Sequence, residues 1–175
     1  TAPMSSSPVH PGRLCPALAA CLALAGCAQP LVTAAVEETA RERTYELLYT
    51  AEFEKGSSIA AVSIGTGRDA RRFRQLRFDF DPGRYSDFRG DGELVVDDGE
   101  LVWRPPRDGG TLRYRVRVPH QRVNGSYDAY VADDWALFRG GDLFPPATTR
   151  AVVGAKSLAR LRFVLPEGWS AITPY

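Results

Sequence analysis

The stretch from Gly125 to Pro146 carries five aromatic residues and four aspartates, punctuated by glycines and closed by a Pro-Pro pair. Tyr127, Tyr130, Trp135, Phe138 and Phe144 offer flat apolar faces, and Asp134, Arg139 and Asp142 set charge beside them. Two chemistries suit that mixture. Aromatic rings stack on the C–H faces of sugars while carboxylates accept from hydroxyls. The same side chains can instead anchor the loop against a neighbouring domain, Trp135 and Phe138 filling a pocket while Arg139 and Asp142 form a polar rim. The interdomain reading is the one carried forward, with glycan binding as its rival.

Elsewhere in the chain reactive groups are few. Only His10 and His120 occur, with no HExxH and no CxxC, so a zinc or iron site lacks obvious ligands. A Ser-His-Asp triad would have to use His120, yet no GxSxG elbow nominates its serine, and beside Pro119 the histidine reads as a turn residue. Gly65-Thr-Gly67-Arg68 lacks the Lys-Ser/Thr ending of a phosphate loop and also reads as a turn. The acidic run from Asp87 to Asp98 echoes a calcium loop, but Arg89 stands where an oxygen ligand is needed. Arg71, Arg72, Arg74 and Arg77, with Arg113, Arg115 and Arg117, could meet lipid phosphates, although alternating arginines on a strand read first as a solvated sheet face. A formal charge of +1 over 175 residues supplies no field for nucleic acid, which is excluded as a partner. No catalytic, metal or cofactor-binding residue is assigned within this chain.

The elements that position these groups begin after an apparent address label. Arg13 precedes the apolar run Leu14 to Ala25, about a dozen residues, whereas a membrane-crossing helix needs roughly 20. Pro16 and the missing polar face argue against a buried helix. Leu24-Ala-Gly26-Cys27 resembles a bacterial lipobox, which implies a signal peptide over 1–26, cleavage between Gly26 and Cys27, and lipidation of Cys27. Each buried methylene contributes about 0.8 kcal/mol and stable anchoring takes two chains, so a triacylated cysteine would hold the membrane as partner. Cys15 and Cys21 would leave with the signal, so no disulfide is expected. Ala28 follows the lipidated position where an Asp would resemble the inner-membrane retention signal. The expected address is therefore the bacterial envelope, at the outer membrane facing the periplasm. Residues 27–43 read as the lipidated cysteine and a tether, able to span on the order of 50 Å when extended.

From Thr44 the apolar period becomes two. Tyr45, Leu47, Tyr49, Ala51 and Phe53 alternate with Glu46, Thr50 and Glu52; Ile59 to Ile64 is a second run; Leu76, Phe78 and Phe80 form a third. Leu94-Val-Val96 and Leu101-Val-Trp103 flank Asp97-Asp-Gly99 as a hairpin, Leu112 to Val118 alternates cleanly with arginines, and Leu158 to Leu165 is a last strand. Short strands separated by turn signals predict an all-β chain, an antiparallel β-sandwich over 44–175. A domain of that size buries roughly 68–70% of its unfolded surface and needs no metal or disulfide to hold together.

The strand Leu112-Arg-Tyr-Arg-Val-Arg-Val118, then Asp128-Ala-Tyr130, the run Asp134-Trp-Ala-Leu-Phe-Arg-Gly-Gly-Asp-Leu-Phe144 and the ending Leu165-Pro-Glu-Gly-Trp-Ser170 carry a resemblance. Across about Tyr45 to Tyr175 the chain resembles the N-terminal β-sandwich domain of the glycyl aminopeptidase-like family of zinc metallopeptidases. The resemblance implies a following thermolysin-like catalytic domain, often with a PDZ domain after it. That family's zinc ligands lie in an HExxH helix and a later Glu, positions absent here, so zinc would belong only to a downstream catalytic domain. The expected role is a non-catalytic N-terminal domain, on a chain that continues past Tyr175, bracing the catalytic partner and helping to wall its substrate cleft.

Overall fold

The computed structural model describes residues 44–174. The signal peptide expected over 1–26, the expected cleavage between Gly26 and Cys27, the expected lipidation of Cys27 and the tether expected over 27–43 all fall outside the described residues.

Regular structure in the described chain is nearly all strand. A five-stranded sheet runs in the order β12 (Lys156–Val164), β1 (Thr44–Glu52), β2 (Ile59–Thr66), β7 (Thr111–Arg117) and β4 (Tyr85–Gly90). A four-stranded sheet orders β11 (Ala147–Ala151), β3 (Phe73–Asp79), β6 (Glu100–Arg104) and β5 (Glu93–Asp97). These two sheets share one core and make the chain a β-sandwich. Its inward residues are those the alternation requires: Tyr45 and Leu47 from β1, Val62 and Ile64 from β2, and Leu112, Tyr114 and Val116 from β7. The opposite sheet contributes Phe73, Leu76, Phe78, Leu101 and Trp103. Rings meet across the gap, Tyr45 with Phe73 at 5.5 Å and Phe78 with Tyr114 at 5.9 Å between centroids. Trp103 is fully buried and its indole N–H donates to the Asp91 carbonyl at 2.9 Å, so its polar edge is satisfied. Among the described residues no buried side-chain nitrogen or oxygen lacks a hydrogen-bond partner.

Two features depart from the sequence-based expectation. The sandwich is antiparallel except at one edge, where β12 runs parallel to β1 along its whole length. β12 follows β11, which belongs to the other sheet, so it reaches β1 by a crossover and not by a hairpin. Parallel strands require such a crossover. Second, the stretch 125–146 is not a simple connection. It holds β9 (Tyr127–Val131), paired with β8 (His120–Gln121) and with β10 (Ala136–Leu137), followed by the one-turn helix α1 (Gly140–Leu143). β8 and β10, of two residues each, are too short to express a period.

Candidate functional site

The segment 127–144 splits into a pinned half and a presented half. The pinned half is α1. Leu143 is fully buried, and two tyrosines of the five-stranded sheet clasp the helix: Tyr85 Oη donates to the Asp142 carbonyl at 2.9 Å and Tyr114 Oη to the Leu143 carbonyl at 2.8 Å. Burial pushes the Tyr85 phenol up to about 12 and the Tyr114 phenol well above its ordinary value. Asp142 is itself buried. Its Oδ2 accepts from the Arg139 backbone N–H at 2.8 Å and its Oδ1 lies 3.5 Å from the Arg84 guanidinium. The side chain therefore caps its own helix from inside the fold. Phe138 stacks on Phe53 at 5.3 Å, and Phe144 meets Tyr49 edge-on at 5.2 Å. These rings pack within their own domain.

The presented half carries Tyr127, Tyr130 and Trp135, which are 52%, 39% and 48% exposed. They touch in sequence, Tyr127 on Tyr130 at 5.2 Å and Tyr130 on Trp135 at 5.5 Å, forming an aromatic ladder on the β9–β10 hairpin. Asp128, which the sequence marks only through the resemblance and not as a site residue, ties that hairpin down. Asp128 Oδ1 lies 2.6 Å from His120 Nδ1, its Oδ2 accepts from Arg122 Nε at 3.0 Å, and Arg139 reaches the same oxygen. The hydrogen bond from His120, aided by Arg122, draws the Asp128 carboxyl down to about 2. Its sequence signal was the i, i+8 placement of Asp128 after His120, legible only once the two strands are known to pair. The His120–Asp128 hydrogen bond thus clamps a short ladder.

Beyond the ladder lies an apolar groove of about 380 Å³. It is lined by Trp135, Leu137 and Phe138, by Leu161 and Phe163 of β12, and by the segment 168–174 with Trp169. Asp134 sits on its rim. Leu137 and Ile172 are among the most exposed large apolar residues of the described chain, and Leu161 is about half exposed. β12 is an edge strand, exposed from Lys156 to Arg162, and its Leu161 and Phe163, which share a face with Tyr49 and Ala51 of β1, line the groove. Thus Trp135, Asp134 and Phe138 line the groove, Tyr127 and Tyr130 belong to the ladder, and Arg139, Asp142 and Phe144 serve the clamp and the core.

Among the described residues no group of three or more His, Cys, Asp or Glu side chains is placed to hold a metal, and no helix is long and apolar enough to cross a membrane. No protein-family model matches the chain, and no curated protein does. Among solved structures it is similar to a GH20 exo-β-N-acetylglucosaminidase from Vibrio harveyi, at 10% identity and a TM-score of 0.29, over 73% of this chain and 19% of that one. The chain thus spans about a fifth of that enzyme's length. It is also similar to the seventh ScaB type I cohesin of Pseudobacteroides cellulosolvens, at 7% identity and a TM-score of 0.29, over 74% of this chain and 97% of that one. At these scores neither likeness bears on function.

Proposed function

We propose that this chain is a non-catalytic docking domain of a lipid-anchored envelope protein, held at the outer membrane by lipidated Cys27 and bracing an aminopeptidase-like catalytic domain. The observation that carries the reading is the apolar groove, whose lining residues Trp135, Leu137 and Leu161 are each about half exposed or more. Contiguous apolar surface of this kind is characteristic of a surface that another folded body covers. The segment 168–174 lines the groove, so a domain joined there meets it first. Trp135 and Leu137 are the anchors in this arrangement, and Asp134 borders them. Zinc enters only through the catalytic partner.

The test uses the natural gene product. A coding sequence running past Tyr175 into an HExxH helix and a later Glu is expected. In that protein Trp135→Ala combined with Leu161→Asp loosens the interdomain contact, read as faster proteolysis after residue 174 and reduced peptidase activity. A stop codon directly after Tyr175, or a double variant that changes neither readout, overturns the bracing role.

A second reading is favoured by a separate observation, the exposed ladder Tyr127–Tyr130–Trp135, whose faces suit stacking on sugar rings. Tyr127 does not line the groove. Tyr127→Ala therefore weakens the tryptophan-fluorescence response to envelope-glycan oligosaccharides under the glycan reading and leaves interdomain docking intact under the bracing one.

A further inference from the structure

The outer face of the five-stranded sheet carries a transverse row that the groove does not use. Register alone aligns it. Arg162 of β12 pairs with Thr50 of β1, Thr50 with Ser63 of β2, Ser63 with Arg113 of β7, and Arg113 with Arg89 of β4. Neighbouring strands lie roughly 4.8 Å apart, so the row runs guanidinium, hydroxyl, hydroxyl, guanidinium, guanidinium across roughly 19 Å. Every side chain in it is a donor, and none has a hydrogen bond or ion pair with another described residue. Arg89 and Arg113 stand directly opposite each other, an arrangement that costs stability when nothing neutralises it. A β-bulge creates that opposition. The register shifts between Ser86 and Arg89, Asp87 takes φ 57°, Phe88 turns inward onto Tyr114, and Arg89 is delivered to the outer face. Bulges commonly re-aim a side chain beside a functional site. The small residues Ala61 and Ser63 of β2 leave a trough of about 480 Å³ between the longer side chains, bordered by Thr50, Arg89, Arg113 and Arg115. Two carboxylates share its margin: Asp87, whose Oδ2 is 3.6 Å from Arg115 Nε, and Glu52, one register step from the row.

We propose that this trough binds a phosphate group carried by an ester, with Arg113 and Arg89 as the guanidinium clamp and Ser63 and Thr50 as hydroxyl donors. Arginine forks match a tetrahedral oxyanion in bidentate geometry, and charge-assisted bonds are roughly twice as strong as neutral ones. The site stands apart from the groove and does not rest on the docking reading. The phosphate comes either from a soluble phosphorylated compound or from a lipid headgroup.

The whole chain is titrated at neutral pH with inorganic phosphate, with glucose 6-phosphate, and with phosphatidylcholine vesicles with and without phosphatidylglycerol. Amide shifts of Ser63 and Arg113 and vesicle co-sedimentation are followed. Arg113→Gln and Arg89→Gln are expected to weaken binding about tenfold or more, while Arg150→Gln on the opposite sheet leaves it unchanged. Binding of either soluble phosphate supports the site with a soluble ligand. Binding confined to phosphatidylglycerol vesicles, and lost in the same variants, supports it with a headgroup. No binding to any probe, or equal binding by both glutamine variants, overturns the proposal. Near-ultraviolet circular dichroism checks that the variants fold; if either does not, Arg113→Lys keeps the charge without the fork and is expected to bind more weakly than the parent.

Discussion

Asp128 concentrates the electrostatics of the hairpin in one side chain. His120, Arg122 and Arg139 converge on it, and its carboxyl titrates near 2 against an ordinary 3.8, the largest cause being the His120 hydrogen bond. A depressed carboxylate stabilises the fold above its unfolded value, and that contribution is lost as pH falls through the folded one. The β8–β9 ladder is therefore expected to hold above pH 3.8 and to open as pH drops toward about 2, read as rising amide exchange at residues 120–131. Asp128→Asn should remove this acid transition and raise exchange of the same amides at neutral pH. The aromatic ladder depends on that clamp, because Tyr127 and Tyr130 lie on the strand that Asp128 fastens.

Within the elements, α1 is a single turn too short to persist alone, since isolated helices below about 12 residues are marginal in water. It persists because Leu143 fills the core and two phenols bond its carbonyls. Leu143→Ala is expected to cost about 2–5 kcal/mol in urea denaturation. The tyrosines add an alkaline limit. Tyr85 titrates at about 12 in the fold, above an unfolded value of 10.0, so its contribution is complete below pH 10 and is lost as pH rises through about 12. Phenolate absorbance should accordingly appear for Tyr85 and Tyr114 only as the domain unfolds. The turn between β4 and β5 sets a different constraint. Gly92 has φ 88°, and a Cβ there would lie 2.5 Å from the Arg104 carbonyl oxygen. Gly92→Ala is expected to destabilise by more than about 1 kcal/mol, measured by thermal unfolding.

For the molecule as a whole, the five-stranded sheet ends in an edge strand. β12 is exposed along most of its length, and Lys156, Arg160 and Arg162 on its outer side keep that edge from pairing freely with other chains. Its inner side has no such charges and opens into the groove. Leu137→Asp and Leu161→Asp are expected to lower binding of a hydrophobic dye and self-association of the protein, with stability changed by no more than about 0.5 kcal/mol. Dye binding that persists in both variants would mean the apolar surface lies elsewhere.

Alternation made β1, β2, β3 and β7 legible in the sequence, because each buries one face and a period of two follows from the pleat, and the Asp97-Asp-Gly99 turn marked the β5–β6 hairpin. β4 was illegible because its bulge breaks that period at Asp87, and β11 because Ala147 to Thr149 and Arg150 all face solvent. The aromatic and acidic makeup of 127–144 marked the region as a surface of interest. The sequence determined that a sandwich forms and where the aromatic side chains cluster. Only the tertiary structure decided which of them face outward, that β12 joins β1 in parallel, that Asp128 meets His120, and that Thr50, Ser63, Arg113 and Arg89 fall in one row. These last relations join residues far apart in the chain through strand register and crossover, and no local pattern of side chains encodes them.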